Sequence, residues 1–201
     1  MPYKPIEDYG IIGDLNTSAL VGRDGSIDWC CFPHFDSPSL FAAILDDQKG
    51  GYFRIYTPRS YRSRQRYIPD TNVLVTRFLS PRGVGEVVDF MPIDSTVKDK
   101  PQPMHRIVRK VSAVRGPVNF RMECFPAFDY ARASHEMEAI SGGVLFKSNG
   151  FVVELHSQVP LHIEGAGVIA DFVLEEGETA HFIIQQFETK KAQGDERYNP
   201  S

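Results

Sequence analysis

Between residues 28 and 36 the chain gathers Asp28, Trp29, His34, Phe35 and Asp36, a concentration of rings and carboxylates at the end of a strand. An aromatic face offers a π-surface to the C–H groups of a sugar ring, and a carboxylate accepts the hydrogens of its hydroxyls. A pair of carboxylates can also act as acid and base across a glycosidic bond. Asp28 and Asp36 flank this segment, and Asp89 stands near the end of another strand. A blander reading competes. Carboxylates in β-proteins usually form turns or face water, and Trp29, alternating with Ile27 and Cys31, also suits a core position.

Other chemistries find less support. The chain has no G-x-S-x-G elbow, no phosphate-binding G-x-x-x-x-G-K-S/T loop and no H-E-x-x-H zinc motif. His156 and His162 come nearest to a ligand pair, but a turn at Pro160 separates them and a third ligand is lacking, so no metal is expected. Cys30 and Cys31 are adjacent and Cys124 is distant, which reads as reduced core thiols rather than a disulfide framework. No cofactor motif stands out. Arg59, Arg62, Arg64 and Arg66, interleaved with Tyr61 and Tyr67, form one basic cluster, with Arg62, Arg64 and Arg66 on one strand face. Such a stripe suits a protein partner, an edge that resists aggregation, or stacking on single-stranded nucleic acid. A net charge of -4 argues against the last, and no nucleic-acid partner is expected.

The elements that must position these residues are strands. Val118, Phe120, Met122 and Cys124 alternate with polar residues, as do Phe151, Val153 and Leu155, and Val168, Ala170, Phe172 and Leu174. Alternation of this kind marks antiparallel strands with one buried face. Asp24-Gly25 joins strands over 18–22 and 27–32, and Asn149-Gly150 joins strands over 144–147 and 151–158. About a dozen strands result, which predicts an all-β fold of two large, mainly antiparallel stacked sheets. One short helix is expected near residues 38–46, with Ser37 as N-cap, Pro38 in the first turn and a stripe of Leu40, Phe41, Ile44 and Leu45. Residues 1–188 form one domain on this reading, residues 94–102 a polar loop, and residues 189–201 a polar tail or the start of a linker. No apolar run reaches membrane-span length and the N-terminus lacks a signal-peptide core, so a cytoplasmic protein without membrane contacts is expected.

Longer motifs point further. Gly10-Ile11-Ile12-Gly13-Asp14-Leu15-Asn16-Thr17, followed by Gly22-Arg23-Asp24-Gly25-Ser26-Ile27-Asp28-Trp29, resembles the N-terminal domain of glycoside hydrolase family 15, the bacterial-type glucoamylases and trehalases. Tyr67-Ile68-Pro69-Asp70-Thr71-Asn72, Val88-Asp89-Phe90-Met91-Pro92, Arg109-Lys110-Val111 and Pro126-Ala127-Phe128-Asp129-Tyr130 follow in the family's order, so the resemblance covers nearly the whole chain. It implies a β-supersandwich that packs on a helical (α/α)₆ catalytic barrel, with both catalytic glutamates of an inverting mechanism in that barrel and none here. It further implies that the chain alone is inactive, and that Asp14, Asn16, Asp28, Trp29, His34, Phe35 and Asp36 form a substrate-rim or interdomain contact. Trehalose or a maltooligosaccharide is the implied ligand class. The family usually carries arginine where His34 stands, and favours it at Phe125 and Ala127. Two other readings stay open: a free-standing carbohydrate-binding module, and an interaction domain indifferent to sugar.

Overall fold

A computed structural model describes residues 3–60, 62–93 and 105–187 of the chain. The loop expected at 94–102 and the tail or linker expected at 189–201 lie outside the described residues. After a 3-10 turn, Ile6–Asp8, the strands run β1 (Tyr9–Gly13), β2 (Ser18–Gly22), β3 (Ser26–Cys31), β4 (Ser39–Phe41), β5 (Tyr52–Tyr56), β6 (Arg62–Tyr67), β7 (Leu74–Leu79) and β8 (Val84–Phe90). The second half holds β9 (Arg106–Arg115), β10 (Val118–Phe125), a single helical turn α1 (Phe128–Ala131), β11 (Glu136–Ile140), β12 (Gly143–Ser148), β13 (Phe151–Ser157), β14 (His162–Glu164), β15 (Gly167–Leu174) and β16 (Thr179–Gln186). The first sheet has the order β1-β2-β3-β5-β10-β15-β14, with β4 paired to β3. The second has the order β11-β12-β13-β16-β9-β8-β7-β6. Every strand pairing is antiparallel.

The period-2 pattern and the turn residues account for most of this. Asn149 and Gly150 both take positive φ (48° and 80°), the geometry of a type I′ hairpin, and join β12 to β13. The helix expected near 38–46 is not there. Ser39–Phe41 is a strand, and the backbone after it turns through Ala42 rather than continuing as helix. The stripe Leu40, Phe41 fits a helix, but both side chains are buried instead by a bulge in the β3–β4 pairing, which brings neighbouring residues inward together. The short helix lies at α1, where Asp129, Tyr130 and Ala131 hold left-handed φ values of 51°, 56° and 61°.

One apolar core fills the space between the sheets, drawing Phe41, Phe53 and Phe120 from the first and Phe78, Phe146 and Phe182 from the second. Arg109 of β9 crosses this core with no exposed surface. Its guanidinium donates to both Asp89 carboxylate oxygens (2.8 and 3.2 Å), to Phe53 O (2.5 Å) and to Gly25 O (2.7 Å), and lies over the Phe53 ring. Phe53 and Gly25 belong to the opposite sheet, so one side chain ties the two together. Gly25 is itself pressed against β5: a Cβ there would lie 2.0 Å from Ile55 O. At one side the sheets are laced by side chains. Tyr67 of β6 exchanges hydrogen bonds with the backbone of Ile11 (2.7 and 2.9 Å), Gln65 donates to Val21 O and Gly22 O, and Asn72 donates to Gly13 O. That lacing anchors the loop that follows β1.

Candidate functional site

Two loops of the first sheet meet at one end of the sandwich. In the β1–β2 loop, Asp14 is buried and its Oδ1 accepts from the backbone N–H groups of Asn16 and Thr17, both at 2.9 Å. This Asx turn leaves Leu15 at φ 75° and 80% exposed. Asn16 O accepts from Phe35 N (2.9 Å), which joins the β1–β2 loop to the β3–β4 loop. The second loop is closed on itself by His34 N donating to Ser37 Oγ and Ser37 N donating to His34 O, both at 3.1 Å. Phe35 is left 61% exposed at its tip, beside exposed Asp36.

His105, just before β9, completes the arrangement. Its Nδ1 lies 2.7 Å from Asp14 Oδ2, and both residues are buried. The His34 ring packs edge-on against His105 with centroids 4.8 Å apart, and the Phe32 ring is edge-on to the same imidazole at 6.5 Å. The result is a rim with a buried carboxylate–imidazole pair beneath and exposed Leu15, Asn16, His34, Phe35 and Asp36 above. Local sequence reasoning misses His105, because it is 91 residues from Asp14 and no motif links them.

Asp28 and Trp29 lie apart from that rim in their bonding. A bulge in the β2–β3 pairing makes Asp28 the extra residue between Ile27 and Trp29. The Asp28 carboxylate accepts from Tyr9 Oη (2.8 Å) and from Lys4 Nζ and Ser26 Oγ, while its carbonyl accepts from Ile44 N (3.2 Å). Buried and bonded to three side chains, it is held within the scaffold beneath the N-terminal segment. Burial, reinforced by the Asp28 carboxylate, pushes the Tyr9 hydroxyl pKa well up from its ordinary 10.0. Trp29 is half-buried, tilted against exposed Tyr130 of α1 at 6.2 Å between ring centroids.

The other candidates separate likewise. Cys30, Cys31 and Cys124 are free and buried, and desolvation raises their thiol pKa values, so they are packing groups rather than nucleophiles. Arg62, Arg64 and Arg66 are exposed on β6, the edge strand of the second sheet. No group of three or more His, Cys, Asp or Glu side chains among the described residues could hold a metal ion. No helix among them is long and apolar enough to cross a membrane. One further polar cluster escaped the sequence reading. On β5 and β10, Tyr52 and Tyr56 donate to the two oxygens of Glu123 (3.3 and 3.2 Å), which also accepts from Arg121 (2.7 Å).

The described residues thus present a two-sheet all-β module with exposed Leu15, Asn16, His34, Phe35 and Asp36 at one end. Its class is that of an all-β sandwich domain. Residues 2–190 match the family described as "Trehalase-like, N-terminal", and the chain belongs to that family. It is 32% identical over 177 residues to a Trehalase of Thermoplasma volcanium, covering 86% of this chain and 28% of that protein. It is 37% identical over 150 residues to a Trehalase of Mycolicibacterium smegmatis, covering 68% of this chain and 22% of that protein. Trehalase 1 of Sulfolobus acidocaldarius is 40% identical over 127 residues, 63% of this chain and 20% of that protein. The chain therefore spans only about a quarter of the length of the relatives it matches.

Proposed function

We propose that this chain is the non-catalytic N-terminal sandwich of an α-glucoside hydrolase of the trehalase or glucoamylase type, and that it docks on a helical catalytic domain through its rim. In the complete enzyme one glutamic acid protonates the glycosidic oxygen while a second activates water on the opposite face of the sugar. Neither belongs to this chain. Its task is positioning and exclusion of water at the mouth of the site. The observation that carries this reading is an exposed Phe35 and Leu15 on two loops tied together by the Phe35 N–Asn16 O hydrogen bond above the Asp14–His105 pair. Large apolar side chains presented together mark a contact surface. His34, Asp36 and Asn16 supply polar contacts beside them. Asp28 acts as scaffold beneath, holding the N-terminal segment through Lys4 and Tyr9.

Two measurements test the reading. The isolated chain is expected to release no glucose from trehalose or maltose, and turnover by a pure sample would sink it. Grafted in place of the matched segment of the Mycolicibacterium smegmatis relative, the chain is expected to support activity, and Phe35→Asp in that chimera to lower kcat/KM at least tenfold with the melting temperature retained. The second reading, a free-standing carbohydrate-binding module, is favoured by the half-buried Trp29 beside the exposed Tyr130 ring. Titration with trehalose while following Trp29 fluorescence separates the two, since a saturable change belongs only to the module.

A further inference from the structure

A cleft of about 440 Å³ opens where the β3–β4 loop, the α1 turn and the β12–β13 hairpin meet. Its apolar walls are Phe32, Pro33, Pro38, Leu40, Phe128 and Phe151. A volume in this range, lined by rings and prolines with a few polar groups, suits an apolar or aromatic guest. Ser37, Ser39, Asp129, Ser148 and Asn149 supply the polar part of the lining.

The second observation is the backbone of one wall. Asp129, Tyr130 and Ala131 are consecutive left-handed residues, none of them glycine, a conformation L-residues disfavour. They are held there by Tyr130 N donating to Ser39 Oγ (3.0 Å) and Ala127 N donating to Leu40 O (2.9 Å), which fix α1 to β4. Strained backbone maintained by its surroundings clusters at clamps and binding sites. The third observation is where β16 ends. Phe187 N donates to Val152 O (2.9 Å), so the last described residue pairs with the neighbour of Phe151 in the cleft wall. Relatives such as the Thermoplasma volcanium Trehalase hold most of their length outside the matched segment, and the matching family is an N-terminal one.

We propose that this cleft is the socket for an aromatic side chain carried by the polypeptide that continues past Phe187 in a trehalase-length protein. The inference rests on the domain reading above. It adds a second contact, distinct from the Leu15–Phe35 rim, beside the end of β16. A guest seated there replaces water on six apolar surfaces at once, and its attachment to the same chain raises its effective concentration at the socket.

The test uses the 201-residue chain and 4-methylphenol, the tyrosine side chain without its backbone. Methyl resonances of Leu40 and Ala133, both cleft residues, are expected to shift saturably at millimolar concentration, while Leu145 on the far side of β12 stays still. Ala133→Trp, which fills the cleft from its own wall, is expected to abolish the shifts, and Pro38→Trp on the exposed lip serves should that variant fail to fold. No saturable shift, or shifts that persist in both variants, overturns the socket. Equal shifts with trehalose overturn it in favour of a sugar site, and shifts that depend on protein concentration alone overturn it in favour of a second copy. An active chimera with no 4-methylphenol binding removes the socket and leaves the domain reading intact. An inactive chimera with binding keeps the socket and removes the rim's role.

Discussion

Among the described residues three buried carboxylates each meet a basic side chain, and two of these pairs, at Asp89 and Asp14, differ because of the partner. Asp89 faces Arg109 at the centre of the sandwich, with no exposure on either side. Asp14 faces His105 at its end, almost equally buried. Arginine remains charged at any ordinary pH and offers five donors in a rigid fork. Arg109 spends four contacts on Asp89 and on two carbonyls of the opposite sheet, which makes it a permanent clamp. Histidine has only two ring nitrogens, and His105 directs one at Asp14 beneath the loops at the end of the sandwich. The comparison teaches that burial alone does not distinguish scaffold from site. What distinguishes them is whether the pair's neighbours are core backbone or exposed loop tips.

The largest effect is expected from Arg109→Met. It leaves the Asp89 carboxylate and the Phe53 and Gly25 carbonyls buried without their donor, at a cost of about 3–5 kcal/mol by urea unfolding. Replacing both partners, Asp89→Leu with Arg109→Met, is expected to recover at least half of that loss. A single-variant loss below about 1 kcal/mol would show that the clamp is dispensable.

At the other pair, His105→Leu is expected to cost about 1–2 kcal/mol, since Asp14 keeps two backbone N–H donors. Its signature is local: hydrogen exchange should quicken at Asn16, Thr17 and Phe35 with little change in β9 and β16. Uniform acceleration across the sheets would erase the distinction between the two pairs. His34→Ala sits lower still, at less than about 1 kcal/mol, because it removes only an exposed ring-edge contact.

An effect confined to alkaline pH bounds the comparison from outside both pairs. Burial, and then the nearby Glu123 charge, push the Tyr52 hydroxyl pKa up to about 12 from its ordinary 10.0. A folded pKa above the unfolded one means the stabilisation is fully present below pH 10 and is lost as pH rises through about 12. The urea midpoint should therefore fall over that window, and Tyr52→Phe should flatten the fall. An unchanged alkaline slope in the variant would assign the loss to other groups.

Much of the architecture was legible because strand alternation and turn chemistry are local. Asn149-Gly150 and the run from Val118 to Cys124 needed no knowledge of the rest of the chain. The segment 38–46 shows the limit. Its N-cap residue, proline and apolar stripe satisfy every local rule for a helix, yet Ser39–Phe41 pairs with β3. Pairing with a strand already in place outweighed a short segment's propensity, which isolated helices of that length hardly express. Among the site candidates, Asp28 and Trp29 looked joined to His34 and Phe35 because they are close in sequence. A single bulge and the arrival of Lys4 and Tyr9 put Asp28 into a closed network.

By itself the sequence determined the all-β class, the hairpins and, through motifs in order, the family. Each of these depends on residue types at short spacing, where sterics and hydrophobic alternation act directly. Only the tertiary structure decided which carboxylates are spent and which residues remain on offer. It set His105 against Asp14, Arg109 against Asp89 and two carbonyls, and left Phe35 exposed above the first pair. The reason is physical: a buried charge takes whatever donor the register and loop closure bring to it, and that donor comes from a distant part of the chain.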